Sequence, residues 1–274
     1  ALPMGTHIDQ DRRRAALLDL GDLVEALDGR YRTAEDVGTT EHDMLVVRER
    51  TEHVVGLPAE NGGAGEPAGA TALGVYSSIA PTLEEAFGSD DIAARSFVIS
   101  GLGQVGGRLA RMLAGHGATL FLTDIDGRKQ QLADDLGATW IAPGEALTTP
   151  ADVLVPAGLG GILTDEAIEA LPVRAVVGPA NNPLAEHSGA ARLAERGIVY
   201  APDFVVNAGG VIHLQGMADG MQWPAIAERL TGISDTLRGV FASARQRGIT
   251  PLEAAEALAA ERIDAARGHM TVSA

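Results

Sequence analysis

The run Ser96-Phe97-Val98-Ile99-Ser100-Gly101-Leu102-Gly103-Gln104-Val105-Gly106-Gly107 decides the fold. Its first five residues make the short apolar run expected of a strand covered on both faces, and Leu109, Met112 and Leu113 continue at helical spacing. Between strand and helix lies G-x-G-x-x-G. Glycine is wanted there three times: for the tight turn, for close approach of the backbone to a pyrophosphate, and for packing of helix against strand. Free amides and the positive end of the helix then face the anion. The spacing predicts a dinucleotide turn at Gly101, Gly103, Gln104, Val105 and Gly106. A glycine-rich turn serving packing alone would carry the same triad.

The next apolar run, Thr119-Leu120-Phe121-Leu122, ends at Asp124, 23 residues after Gly101. A carboxylate at that point accepts hydrogen bonds from the adenosine ribose hydroxyls and repels a 2′-phosphate, so the sequence favours NAD over NADP. Arg128 and Lys129 follow closely and act in the opposite sense. Further apolar runs occur at Val153-Leu154-Val155, Ala175-Val176-Val177 and Ile198-Val199-Tyr200, separated by helical stretches. This alternation predicts an α/β chain, a Rossmann-type doubly wound parallel sheet.

On the N-terminal side, residues 11–28 carry Leu17, Leu18, Leu20, Leu23, Val24 and Leu27, which read as one amphipathic helix with Asp9 as N-cap. A shorter helical pattern runs through Met44, Val46 and Val47. The Gly- and Pro-rich stretch from Gly56 to Pro67 reads as a loop and hinge. Apolar periodicity resumes over 71–87, where Pro81 removes an amide donor and should kink or end the helix. Residues from about 212 to 266 read as helical, with Pro224 in a first turn and Gly248 at the last break.

Composition narrows the function. Asp and Glu number 37 against 21 Lys and Arg, a formal charge of −16, which disfavours nucleic acid and anionic lipid as partners. No apolar run has the roughly 18 residues of a spanning helix, so no membrane partner is expected. The chain has no cysteine, which excludes disulfides and thiolate chemistry and suits a cytoplasmic setting. No two histidines show metal-ligand spacing, and no metal site is expected. The only lysine is Lys129. The Arg12-Arg13-Arg14 run reads as a solvated helix face, and His213 as a packing or capping residue.

Five segments together resemble the amino-acid dehydrogenases that act on glutamate, leucine, valine and phenylalanine, above all the leucine/valine/phenylalanine branch. They are Thr33-Ala34-Glu35-Asp36-Val37-Gly38-Thr39-Thr40, the glycine turn, Val155-Pro156-Ala157-Gly158-Leu159-Gly160-Gly161, Gly178-Pro179-Ala180-Asn181-Asn182, and Tyr200-Ala201-Pro202-Asp203-Phe204-Val205-Val206-Asn207-Ala208-Gly209-Gly210-Val211. The resemblance runs from about residue 1 to 266 and implies NAD-dependent oxidative deamination of an L-amino acid to a 2-oxo acid and ammonia. It places the proton-relaying carboxylate at Asp36, a chemistry that suits a group beside a developing iminium. It puts Thr71, Ala157, Gly158 and Asn181 beside the cofactor, and Ala34, Asn182, Asn207, Val211 and Leu214 beside the substrate. Local turn capping is the competing role for Asp36 and for each asparagine.

The resemblance also implies two lysines, one for the substrate carboxylate and one for water, both ahead of Ala1. Lys129 follows the ribose-binding strand and matches neither. The expectation is therefore a chain holding half of an active site, either truncated just before its Ala-Leu-Pro start or a natural paralogue that has lost that region, with truncation favoured. Its expected organisation is a remnant substrate domain at 1–70, an NAD-binding domain at 71–211 with its core at about 90–205, and C-terminal helices at 212–274 packing between the two. The expected partners are a small amino acid or 2-oxo acid and further copies of the chain. Ala34 and Val211 resemble the leucine and valine enzymes, whereas Leu214 with Ile212-His213 resembles the phenylalanine enzymes. A non-catalytic NAD-binding module, and a hydroxy-acid or folate dehydrogenase sharing only the dinucleotide fold, are the alternatives.

Overall fold

The structure is a computed structural model that describes residues 9–36, 38–58, 61 and 67–270. The opening Ala1-Leu2-Pro3-Met4 and most of the expected hinge (59, 60 and 62–66) lie outside the described residues. The chain divides into two compact units: one comprises residues 1–67 and 210–227, the other 68–209 and 228–274. The shorter unit therefore gathers 210–227, which the sequence reading had divided between its second and third segments.

The larger unit is built on six parallel strands: β1 (Ser96–Ser100), β2 (Thr119–Thr123), β3 (Thr139–Trp140), β4 (Val153–Pro156), β5 (Ala175–Val176) and β6 (Val199–Tyr200). Their order is β3-β2-β1-β4-β5-β6, the doubly wound arrangement. β1 runs in register with β2 from Ser96 opposite Thr119 to Ser100 opposite Thr123, and with β4 from Phe97 opposite Val153 to Ser100 opposite Pro156. The chain leaves β1 toward β2 and later crosses to β4 on the other side, so a crevice opens at the carboxyl ends of β1 and β4.

Both faces of the sheet are covered, which explains the continuous apolar runs. Phe97, Ile99, Leu122, Val153 and Val155 pack with Leu109 and Leu113 of α5 (Gln104–Gly115) and with Val75, Ile79 and Leu83. Val98, Leu154 and Val176 face the opposite way, against Ile168 of α7 (Asp165–Ala170) and Leu193 of α8 (Gly189–Glu195). β3 was absent from the sequence reading. Its two residues, one exposed and one half-buried, are too few to show an apolar pattern.

Pro81 breaks the helix expected over 71–87. α3 (Ala68–Ser77) and α4 (Ile79–Phe87) are separated at Ser78, because Pro81 has no N–H with which to continue the ladder. The buried Ser78 hydroxyl donates to the Gly74 carbonyl at 3.0 Å, alongside the Ser78 amide at 3.2 Å. The C-terminal helices begin earlier than expected: α9 (Asp203–Val206) and α10 (Gly209–Ala218) precede α11 (Trp223–Thr231), α12 (Ile233–Arg247) and α13 (Pro251–Met270). Pro224 lies in the first turn of α11, and Gly248 closes α12 in the left-handed conformation at φ 65°.

In the shorter unit, α1 (Gln10–Glu25) and α2 (Glu41–Arg48) enclose a small core of Leu17, Met44, Val47, Val54 and Leu57. Two expectations are corrected here. Leu23 and Leu27, read as part of the apolar face, are 67% and 40% exposed, since the helix ends at Glu25 and buries only Leu17, Gly21 and Val24. In the Arg12-Arg13-Arg14 run, Arg12 and Arg14 are exposed as expected, but Arg13 is half-buried. Arg13 grips Asp43 with Nε and Nη2 at 3.0 and 2.7 Å, and Arg14 donates to Glu49 at 2.7 Å.

Candidate functional site

The glycine turn stands at the crevice between β1 and β4, and its three glycines differ in what they face. Gly101 has φ +106°, and a Cβ there would lie 2.8 Å from the Ala157 carbonyl and the Gly158 nitrogen. The turns after β1 and β4 thus touch at a point where no side chain fits. A Cβ on Gly106 would approach the Gly101 carbonyl oxygen to 2.1 Å, so the third glycine seats the helix against its own turn. At Gly103, by contrast, a Cβ would meet nothing within 4 Å. Open space at the second glycine, with Gln104 and Val105 starting the twelve-residue α5, is what a phosphate approaching the helix N-terminus needs.

Asp124 sits one residue beyond β2 and is half-buried. Its Oδ2 accepts the Leu102 amide at 2.6 Å and its Oδ1 accepts the Asp126 amide at 2.9 Å. The carboxylate is thus held by the main chain of the glycine turn itself. Each carboxylate oxygen has a second lone pair, which leaves acceptor capacity for ribose hydroxyls.

Asn181, Asn182 and Asn207 are drawn together by a polar network beyond β5 and β6. Asn207 Nδ2 donates to Asn181 Oδ1 at 2.7 Å and to the Pro179 carbonyl at 3.2 Å. Asn182 adopts φ +48°, uncommon for a residue with a side chain, and its amide donates to Asp203 Oδ2 at 2.8 Å. The other Asp203 oxygen accepts the hydroxyl of the buried Tyr200 at 3.1 Å. Burial and the Asp203 charge both push the Tyr200 phenol far above its ordinary range, so it stays a donor. Gly160 lies beneath this loop, where a Cβ would come within 2.4 Å of the Asn181 carbonyl oxygen. Asp203 and Tyr200 were not singled out from sequence. The signal available was a carboxylate three residues after a strand-end tyrosine.

Thr71 is on α3. A Cβ on Gly209 would lie 2.3 Å from the Ala70 carbonyl oxygen and 3.1 Å from Thr71 Cα, so glycine brings the start of α10 against the turn of α3 that carries Thr71.

The remaining candidates belong to the shorter unit. Asp36 is exposed, in a turn where its amide donates to Thr39 Oγ1 at 2.8 Å and its carbonyl accepts the Thr39 amide at 2.8 Å. Thr40 then caps α2 reciprocally with Asp43, and Arg13 ties the whole segment to α1 through Asp43 and the Gly38 carbonyl, the latter at 2.7 Å. The Arg13 guanidinium holds the Asp43 carboxyl below the usual carboxylate range. Ala34 and Asp36 line a common cavity of about 560 Å³ with Leu17, Leu20 and Met44. Thr33, just before Ala34, is pinned by a parallel bridge to Val54. Leu214 packs near Gly56, whereas Val211 is 72% exposed. His213 is buried and edge-on to Trp223 at 5.8 Å between ring centroids, a packing arrangement. Among the described residues no cluster of potential metal ligands occurs, and no helix is long and apolar enough to cross a membrane.

A doubly wound sheet with a glycine turn at its crevice and a carboxylate after the second strand defines a Rossmann-type α/β protein. Comparison with known proteins names the family. The sequence profile described as Glutamate/Leucine/Phenylalanine/Valine dehydrogenase matches residues 121–269. The leucine dehydrogenase of Thermoactinomyces intermedius is 38% identical over 259 residues, covering 94% of this chain and 71% of that protein. The phenylalanine dehydrogenase of Bacillus thermotolerans is 37% identical over 254 residues, covering 89% and 66%. The crystal structure of L-tryptophan dehydrogenase from Nostoc punctiforme superposes with a TM-score of 0.80 at 32% identity, over 93% of this chain and 73% of that one. The chain belongs to this family of amino-acid dehydrogenases.

Proposed function

We propose that the chain serves NAD-dependent oxidative deamination of an apolar L-amino acid, of the leucine, valine or phenylalanine type, to the 2-oxo acid and ammonia. The observation that carries this reading is the pairing of the open glycine turn with Asp124, held by the Leu102 amide at 2.6 Å. NAD, when bound, accepts the hydride leaving the substrate Cα. Gly103, Gln104 and Val105 would bind its pyrophosphate, Asp124 its ribose, and Thr71, Ala157, Gly158 and Asn181 its nicotinamide end. Asp36 is assigned the proton transfers at the substrate nitrogen, and its pinned turn suits a group that must keep its position. Residues 1–70 are assigned to the substrate, 71–211 to the cofactor, and 212–274 to the C-terminal helices.

Ala34, Val211 and Leu214 are assigned to the substrate side chain, with Asn182 and Asn207 completing the site. None of the three apolar residues offers a charge to a glutamate side chain, and desolvating an unpaired carboxylate costs several kcal/mol. Leu23, Leu27 and Tyr31 leave apolar surface on the shorter unit, which supports association with further copies of the chain. A cytoplasmic setting is consistent with the absence of cysteine.

A second reading rests on the lysine count. Lys129 is the only lysine in these residues and lies on the cofactor unit, which favours a non-catalytic NAD-binding module. Both are tested by titrating the chain with NADH and then following NADH formation from NAD with leucine, valine, phenylalanine and glutamate. Cofactor binding with weak turnover confined to the apolar amino acids is expected. Glutamate deamination matching leucine would contradict the substrate assignment, and fast turnover would contradict the half-site reading.

A further inference from the structure

The segment that follows the ribose carboxylate is charged in a way the glycine turn does not explain. Asp124, Asp126, Arg128 and Lys129 lie within six residues, in and before a single 3-10 turn, Gly127–Lys129. Asp126 accepts the Arg128 amide at 3.1 Å and caps that turn. It also takes the Arg128 guanidinium in a two-pronged grip, Nε to Oδ1 at 2.8 Å and Nη2 to Oδ2 at 2.8 Å. The pair is at the surface, with the Arg128 side chain 90% exposed. Arg128 and Lys129 border a cavity of about 610 Å³ between α5 and α6 (Gln130–Leu136), together with Gly103 and Gln104 of the glycine turn and Arg108 and Arg111 of α5. Four of the 21 basic residues of an acidic chain thus line one cavity beside the turn.

We infer that Asp126 is a cofactor-selectivity residue: by holding Arg128, it withholds from a ribose 2′-phosphate the cation that would receive it. This rests on the NAD reading of the crevice. A 2′-phosphate is attached where Asp124 would meet the ribose, so it must face the residues immediately after Asp124. There the charges of Asp124, Asp126, Arg128 and Lys129 cancel, and a dianion gains nothing. Without the Asp126 charge the same segment becomes net positive, and Arg128 is released toward a cavity whose lining holds Arg108, Arg111 and Lys129 against one carboxylate, Asp135. The Arg128 grip holds the Asp126 carboxyl down at about 2, so the pair is fully charged at any working pH. Asp126 acts through another residue and on charge balance, and is a positioning residue.

The test is fluorescence titration of the full chain with NADH and with NADPH, in the wild type, in Asp126→Asn and in Asp126→Asn/Arg128→Ala. Asparagine keeps an oxygen to cap the turn, so the fold is preserved. Asp126→Asn is expected to tighten NADPH binding about fivefold, the scale of one exposed ion pair, and to leave NADH within about twofold of wild type. Adding Arg128→Ala should abolish the gain. Unaltered NADPH affinity in Asp126→Asn, or a gain that survives Arg128→Ala, overturns the inference while leaving NADH binding intact. A wild type that binds no NADH overturns the cofactor reading and this inference with it.

Discussion

Asp124 Oδ2 accepts the amide of Leu102 at 2.6 Å, so the carboxylate proposed to bind ribose and the loop proposed to bind pyrophosphate are one hydrogen-bonded unit. Replacing Asp124 with Asn removes the charge assistance from bonds to ribose while leaving one oxygen acceptor. Charge-assisted hydrogen bonds exceed neutral ones by about 1.4 kcal/mol, so NADH affinity should fall about tenfold. The melting temperature should also fall, because Asn leaves one of the two amides, Leu102 or Asp126, without its acceptor, and isothermal titration with a thermal scan separates the two effects.

The glycines of the turn make a sharper steric contrast. In Gly106→Ala the new Cβ would meet the Gly101 carbonyl oxygen at 2.1 Å, whereas in Gly107→Ala it would meet its nearest atom at 3.5 Å. The first substitution should destabilise the chain by about 1–3 kcal/mol, as overpacking does, and abolish NADH binding. The second should stay within about 0.5 kcal/mol of wild type. Urea unfolding of both variants checks the difference.

These contrasts show what the sequence made legible. The strand before Gly101, the helix after it and the carboxylate at Asp124 each carry a local signature, because continuous burial and tight turns dictate residue type directly. β3 escaped because two residues cannot display a period, and its place at the sheet edge is set by pairing with Phe121 and Leu122. Arg13 was misread because its partner, Asp43, is thirty residues away, and an ion pair between helices leaves no local pattern. The apolar face of α1 was drawn too wide for a related reason: spacing alone does not tell which leucines meet another element. The Asp203–Tyr200 network likewise emerges only once the loop after β5 reaches the start of α9.

That network predicts a selective defect. Asp203→Ala removes the acceptor of the Asn182 amide and of the buried Tyr200 hydroxyl, and stranding such a donor costs about 1–3 kcal/mol. Beyond this loss of stability, NADH should bind more weakly while ADP-ribose, which lacks the nicotinamide, binds as before. Equal weakening of both ligands would show that Asp203 only stabilises the fold.

Acid stability should report on Asp43. Its carboxyl is held below the ordinary value, first by the Arg13 hydrogen bond, so its contribution is fully present above the unfolded-state value of about 3.9 and is lost as pH falls through the lower folded value. Asp43→Asn should therefore destabilise the chain near neutrality and flatten the loss of stability below about pH 4. Denaturant midpoints at pH 6 and pH 3 should converge for the two proteins at the lower pH. The Thr40 side chain accepts from Asp43 in the same capping box, and Thr40→Ala should cost about 1 kcal/mol at pH 6.

Binding of NADH by the unmodified chain, followed by energy transfer from protein to nicotinamide fluorescence, tests the central claim most directly. Saturable one-site binding that Asp124→Asn weakens about tenfold and Gly106→Ala abolishes is the predicted result. Failure of the folded chain to bind NADH, or binding indifferent to both substitutions, would contradict the assignment of this crevice.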